Sequence, residues 1–228
     1  MFLKIGHRGA RAYETENTLQ SFGRAITLGA NAIELDVRAA KDGKLAVIHD
    51  DSLKRVFGAD VLVKDASLKE LKGLSGGRLL ELREALDFLD GKVEKILIEL
   101  KEQGGLESLP EIEKKTLALV KRKKIGDRVI IISFSENILK NIRELDKKIE
   151  TGLVYARHKN PLKAALAVDA QYLVGLYRFV HRENIASAHK RNLKVIVWTI
   201  NTKEEAKQYK EKGVDGIATD KPDILKRL

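Results

Sequence analysis

Two acids one residue apart, Glu34 and Asp36, lie inside the otherwise apolar run from Ala32 to Val37. Carboxylates in such a run are costly to bury unless something compensates them. The run leads through Asp42-Gly43, a two-residue hairpin signal, into Leu45-Ala46-Val47-Ile48-His49. With that turn at the tip, the register sets Asp36 opposite His49, on one face of the hairpin. Glu34 shares the face, because side chains repeat every second residue along a strand. Upstream, a strand-like run ends in His7-Arg8-Gly9, and downstream another ends in Glu99-Leu100-Lys101. Glu34, Asp36 and Glu99, completed by water, make a hard oxygen set suited to Mg²⁺ or Ca²⁺, with Mn²⁺ a third option. Arg8 and Lys101 suit an anion, most simply a phosphate bridging to that ion. His7 and His49 titrate near neutrality and are the natural pair for proton transfer.

These side chains need a frame that gathers strand ends. Nine apolar runs read as strands: 3–6, 32–37, 45–49, 96–100, 129–133, 152–155, 172–174, 194–200 and 216–219. Amphipathic helical stretches separate most of them, the pattern of parallel βαβ units. The third run follows the second through a turn too short for a helical crossover, so it must run antiparallel as an excursion. Removing it leaves eight, the number a closed (β/α)8 TIM barrel requires, and function in such barrels gathers at the C-terminal strand ends. Residues from 51 to about 78 fit no barrel element and read as a small insertion after the hairpin, ending at Ser75-Gly76-Gly77, within one domain spanning residues 1–228. Asn17 is the expected N-cap of a helix that carries Leu19, Phe22 and Ile26 and stops at Gly29. Thr202-Lys203-Glu204-Glu205 reads as a capping box for a helix stopped by Gly213, and Pro161 and Pro222 suit first turns of helices.

The chain has 228 residues, 43% hydrophobic and 33% charged, enough for a sizeable core. No apolar run approaches the roughly 18 residues of a membrane span, so no stable membrane insertion is expected. The start reads as a strand rather than a signal peptide, and with no cysteine it predicts a cytoplasmic protein. The richness in Lys and Glu leans towards a thermophile. The net charge of +10 is dispersed among acids. Its densest run, Lys121-Arg122-Lys123-Lys124, ends a helical pattern, where the helix dipole favours cations. His158, His181 and His189 read as ordinary surface or helix residues.

A series of short motifs carries a resemblance: His7-Arg8-Gly9, Glu16-Asn17-Thr18, Glu34-Leu35-Asp36-Val37, His49-Asp50, Glu99-Leu100-Lys101, Ser133-Phe134, Val197-Trp198-Thr199-Ile200-Asn201 and Gly213 to Pro222. In this order, and over nearly the whole chain, they resemble the glycerophosphodiester phosphodiesterase family. The resemblance implies a phospholipase-C-like barrel, metal binding by Glu34, Asp36 and Glu99, acid/base work by His7 and His49, and phosphate contacts from Arg8 and Lys101. It also implies glycerol 3-phosphate and a free alcohol as products, and an insertion that shapes the glycerol end of the site. Trp198 is read as an apolar wall against the glycerol. The chain departs from the family pattern at Thr15, where proline is usual, and at Leu80-Glu81-Leu82, where Pro-Thr-Leu is common.

The expected partner is thus a small glycerophosphodiester, acted on by a monomer or homodimer. A lysophospholipase D-like enzyme acting on lipid diesters is the alternative within the same fold. A barrel that merely binds nucleic acid has no use for three clustered carboxylates, which repel phosphate unless a cation intervenes. Metal-assisted enolisation would need a lysine base and further metal ligands on later strands.

Overall fold

Segments such as Val129-Ile130-Ile131-Ile132 are apolar on both faces, as a strand must be when helices cover one side and a barrel interior the other. The computed structural model describes residues 1–102 and 111–228. Its strands are β1 (Leu3–His7), β2 (Ala32–Ala39), β3 (Leu45–Val47), β4 (Leu80–Glu81), β5 (Lys95–Leu100), β6 (Val129–Ser133), β7 (Glu150–Tyr155), β8 (Tyr172–Leu176), β9 (Lys194–Trp198) and β10 (Gly216–Thr219). Neighbours run β1-β10-β9-β8-β7-β6-β5-β2, all parallel, and β1 also pairs with β2. That last pairing closes an eight-stranded (β/α)8 barrel.

Strand parity decides what faces inward. Leu3, Ile5, Ala32, Leu97, Ile130, Ile132, Val154, Tyr172, Val174, Ile196 and Ala218 form one buried cluster, the barrel interior. Ile33, Leu35, Val37, Ile96 and Ile98 pack instead with residues from the surrounding helices, among them Phe22 and Ala25 of α1 (Leu19–Thr27). Glu34 and Asp36 share Ala32's parity, and Glu99 shares that of Leu97. The same alternation that buries alkyl groups low in the barrel therefore sends three carboxylates into its upper end.

The hairpin departs from expectation. Val37 pairs with Val47, Arg38 with Ala46 and Ala39 with Leu45, one residue out of the expected register. The loop holds three residues, Lys41-Asp42-Gly43, with Gly43 at φ +71° and its N–H donating to Ala40 O. The loop is pinned from outside: Lys41 N–H donates to Ala66 O and Leu68 N–H to Asp42 Oδ1. Asp36 consequently opposes Ile48, whose N–H donates to Asp36 O. His49 lies beyond the end of β3 and reaches the site through a bend instead of by strand alternation.

Between β3 and β4 lie α2 (Lys54–Phe57) and α3 (Leu68–Leu74). They close over a cluster of their own that includes Ile48, Leu53, Val63, Leu68, Leu71 and Leu79. β4, a two-residue strand absent from the sequence expectations, pairs antiparallel with β3 and leads into α4 (Leu82–Leu89). The remaining helices are α5 (Glu111–Lys123), α6 (Glu136–Leu145), α7 (Pro161–Ala167), α8 (Arg182–His189) and α9 (Lys203–Lys212). Thr202 caps α9, Gly213 ends it at φ +94°, and Pro161 opens α7, as the sequence suggests. The cap of α1 is Thr18, whose hydroxyl accepts from Ser21 N–H, and not Asn17. Asn17 stands at φ +58° with its side chain committed elsewhere.

The turn after β1 is packed to backbone contact. Gly9 has φ +84°, and a Cβ there would fall 2.6 Å from the Ser21 carbonyl carbon. Ser21 Oγ donates to Arg8 O at 2.9 Å, so α1 directly holds the loop carrying Arg8.

Phe22 is fully buried between α1 and the sheet, whereas Leu166 on α7 is 46% exposed. Phe22→Ala should cost about 3–5 kcal/mol of unfolding free energy in urea, and Leu166→Ala under about 0.5 kcal/mol. Equal losses would show that the helix layer does not pack as described.

Candidate active site

At the upper end of the barrel β2 supplies Glu34 and Asp36, and β5 supplies Glu99. Asp36 is paired across the sheet with Glu99, and His7 with Glu34. One oxygen from each acid lies within 4.8 Å of the others, and all three residues are buried. Such a trio repels itself. Burial and the charges of Asp36 and Glu99 push the Glu34 carboxyl well above its ordinary range. Burial and Asp36 raise Glu99 as well. Burial would raise Asp36 too, but Lys101 and Arg8 outweigh it and hold that carboxyl below its usual range.

The two cations are interleaved with the acids. Lys101 Nζ is 2.9 Å from Asp36 Oδ1 and also bonds to Glu99 Oε1. Arg8 donates its backbone N–H to Glu34 Oε2 at 2.9 Å, while its Nε lies 3.3 Å from Asp36 Oδ2. Asn17 Nδ2 donates to Asp36 Oδ2 at 2.9 Å, the service that takes it away from helix capping. Among the described residues, three acids against two cations leave a deficit of positive charge, and Glu34 Oε1 is buried without a hydrogen-bond partner. A buried carboxylate oxygen without a donor, beside two other carboxylates, is the chemistry of a hard-cation site. The residues present fit a divalent ion.

Both imidazoles border the same pocket as Glu34, Glu99, Arg8 and Lys101, and each has a carboxylate behind it. His7 Nδ1 is 2.7 Å from Asp220 Oδ1, and Asp220 Oδ2 accepts from Asn201 Nδ2 at 2.9 Å. His49 Nδ1 is 2.7 Å from Asp50 Oδ1. An ionised carboxylate only accepts, so Nδ1 carries the proton in both rings and Nε2 is left for chemistry. Burial lowers His49 in pKa, the charge of Asp36 opposing, which favours its neutral form. Asp50 is held down at about 2, chiefly by hydrogen bonds from Arg55 and then from His49.

The rest of the lining is apolar: Leu97 lies below Glu99 on β5, and Ile132, Val154, Val174 and Ile196 come from β6 to β9. Trp198 closes its rim, with Nε1–H on Val174 O at 3.0 Å and its ring edge-on to the exposed Phe134. All eight residues singled out from sequence thus border or build one pocket. Sequence reasoning places Glu16, Asp50, Asn201 and Asp220 within motifs of the resemblance but gives them no role in the site, and it reads Asn17 as a helix cap. Asp220 stands 213 residues from His7, and only barrel closure brings β10 beside β1.

Comparison with known proteins finds relatives over nearly the whole chain. The profile of the Glycerophosphoryl diester phosphodiesterase family matches residues 7–224. A glycerophosphodiester phosphodiesterase of Caldanaerobacter subterraneus subsp. tengcongensis is 35% identical, over 99% of this chain and 97% of its own. The solved glycerophosphodiester phosphodiesterase of Thermotoga maritima superposes with a TM-score of 0.84 at 31% identity, covering 99% of this chain and 97% of that one. A phosphodiesterase of Oleispira antarctica, solved with the product sn-glycerol-3-phosphate, superposes with a TM-score of 0.87 at 25% identity, covering 96% and 93%.

The raised Glu34 makes a test. Its ionisation works against folding: the penalty is absent below the ordinary carboxylate range near about 4.3 and grows as pH rises towards the shifted value. Metal-free Glu34→Gln should therefore melt above metal-free wild type at mildly alkaline pH, and the gap should close in acid. Added Mg²⁺, Ca²⁺ or Mn²⁺ should raise the Tm of wild type and leave the variant unmoved. A variant less stable than wild type at every pH would contradict the crowding of the three acids.

Proposed function

The chain belongs to the glycerophosphoryl diester phosphodiesterase family, and from that membership we propose that it is a metal-dependent hydrolase whose His7 and His49 exchange protons with a glycerophosphodiester, releasing sn-glycerol 3-phosphate and an alcohol. The observation that carries this reading is that two carboxylate-backed imidazoles line the pocket bordered by Glu34 and Glu99, with Asp36 buried beside those two acids.

A phosphodiester is an anion that resists nucleophiles and holds its alkoxide. Glu34, Asp36 and Glu99 would hold the divalent cation, Mg²⁺, Ca²⁺ or Mn²⁺, and bound there it would polarise the phosphoryl oxygens. Arg8 and Lys101 bring fixed positive charge to the same pocket and offset the charge that grows on the non-bridging oxygens. One imidazole, neutral at the outset, takes the proton of the attacking hydroxyl on Nε2, and the other, starting as the imidazolium with a proton on each nitrogen, gives its Nε2 proton to the departing alcohol. Asp220 and Asp50 keep each ring in the tautomer that this exchange requires, and stabilise the ring while it is charged. Trp198 and the apolar wall exclude water from the carbon skeleton and leave the phosphate facing the charged half.

Residues 51–78 are read as an insertion within a single catalytic domain spanning the chain. The protein is read as acting in the cytoplasm on small diesters, as a monomer or homodimer; among the described residues no helix is long and apolar enough to cross a membrane. A lysophospholipase D-like activity is the second reading. The apolar wall and the exposed Phe134 at its rim favour it, and turnover of lysophosphatidylcholine against glycerophosphocholine separates the two.

His7→Ala and His49→Ala should each lower kcat by roughly 10²–10⁴-fold for release of glycerol 3-phosphate, with the melting transition retained. EDTA should silence the wild type, and a divalent cation should restore it. Near-full activity in either variant, or turnover that survives exhaustive chelation, would refute the scheme.

A further inference from the structure

Arg55, on the four-residue helix α2, does not line the pocket, yet it holds the carboxylates behind two residues that do, His49 and Arg8. Its Nε donates to Asp50 Oδ2 at 2.6 Å and its Nη2 to Asp50 Oδ1 at 3.0 Å. Its Nη1 donates to Glu16 Oε2 at 2.9 Å and its Nη2 to Glu16 Oε1 at 2.6 Å. Asp50 is the carboxylate behind His49, and Glu16 Oε1 accepts from Arg8 Nη1 at 2.9 Å. We propose that Arg55 is a positioning residue: by gripping Asp50 and Glu16 with one rigid guanidinium, it sets His49 and Arg8 in a common frame. This rests on the reading above, in which His49 moves a proton and Arg8 faces phosphate.

The backbone beneath Arg55 is built to stay put. Leu53, fully buried, anchors the preceding residues in the apolar cluster under the excursion. Leu53 N–H donates to Val61 O and Val63 N–H to Asp51 O, bracketing the segment on both sides. A purely stabilising role explains the arrangement poorly. The Arg55 side chain is 45% exposed, although Asp50 and Glu16 are not, and solvent on the guanidinium screens both pairs. Glu16 also keeps Arg11 Nε at 2.8 Å and Arg8, so its charge stays compensated without Arg55. What Arg55 alone supplies is a planar link between two carboxylates. An ammonium, a point charge on a flexible stem, cannot reproduce that double fork.

Steady-state release of glycerol 3-phosphate from glycerophosphocholine, with saturating divalent cation, reads the effect. Arg55→Ala and Arg55→Lys should each lower kcat by about 10²-fold with KM little changed, as a small misplacement of reacting groups does. Guanidinium ion should restore part of the activity of Arg55→Ala and none of that of Arg55→Lys. Lys54→Ala is the control on the same helix, since Lys54 pairs outward with Asp60, and it should match wild type. A second readout needs no turnover. The His49 Nδ1 proton should exchange slowly in the wild-type NMR spectrum and rapidly in both Arg55 variants, while that of His7 on Asp220 stays protected in all three. If Arg55→Ala melts below assay temperature, Arg55→Lys decides by the same two readouts. Wild-type kcat in Arg55→Lys, or an unchanged His49 proton in either variant, overturns the proposal. An inactive wild type would refute the functional reading and leave the proton-exchange result to judge Arg55.

Discussion

Like charges forced together in a dry place govern this molecule. Glu34, Asp36 and Glu99 lie on adjacent strands of a closed barrel, buried, with oxygens within 4.8 Å of one another. No fold accepts that arrangement for stability alone, because each carboxylate raises the cost of ionising the next. Arg8 and Lys101 offset part of it and leave Glu34 Oε1 without a donor. The incomplete compensation makes the pocket receptive to a divalent cation, and the two cations that share it make it receptive to a phosphate. On the proposed reading, one electrostatic imbalance draws metal, anion and proton chemistry to the same place.

Around the imbalance the protein spends its polar groups on orientation. Each imidazole has a carboxylate on Nδ1 at 2.7 Å, and each carboxylate has its own donor, Asn201 for Asp220 and Arg55 for Asp50. Asn17 gives up the capping of α1 to hold Asp36, and Thr18 takes the cap. Gly9 lets α1 approach until Ser21 reaches the carbonyl of Arg8. These contacts make the site a product of the whole barrel end. β1 and β10 meet there, and the excursion after β3 reaches in from outside.

Much of this was legible in the chain. Alternation alone puts Glu34 with Asp36, and the count of apolar runs leads to eight parallel strands. What stayed hidden needed three dimensions. The hairpin signal Asp42-Gly43 was real, but contacts from Ala66 and Leu68, residues of the excursion, select a three-residue loop and slip the register by one. His49 nonetheless borders the pocket, because the bend after Val47 carries it there. Asn17 looked like a cap because its neighbours in sequence were visible and Asp36 was not. Asp220 and Arg55 gave no local sign of their partners, since Asp220 meets His7 only when the barrel closes and Arg55 meets Glu16 across 39 residues.

The most direct measurement is a crystal structure of the protein soaked with Mn²⁺ and sn-glycerol 3-phosphate, with anomalous data collected at the manganese edge. The account places a single anomalous peak among the carboxylates of Glu34, Asp36 and Glu99, with the phosphate flanked by Nε2 of His7 and Nε2 of His49. A peak elsewhere, or a phosphate lying out of reach of both imidazoles, would contradict it.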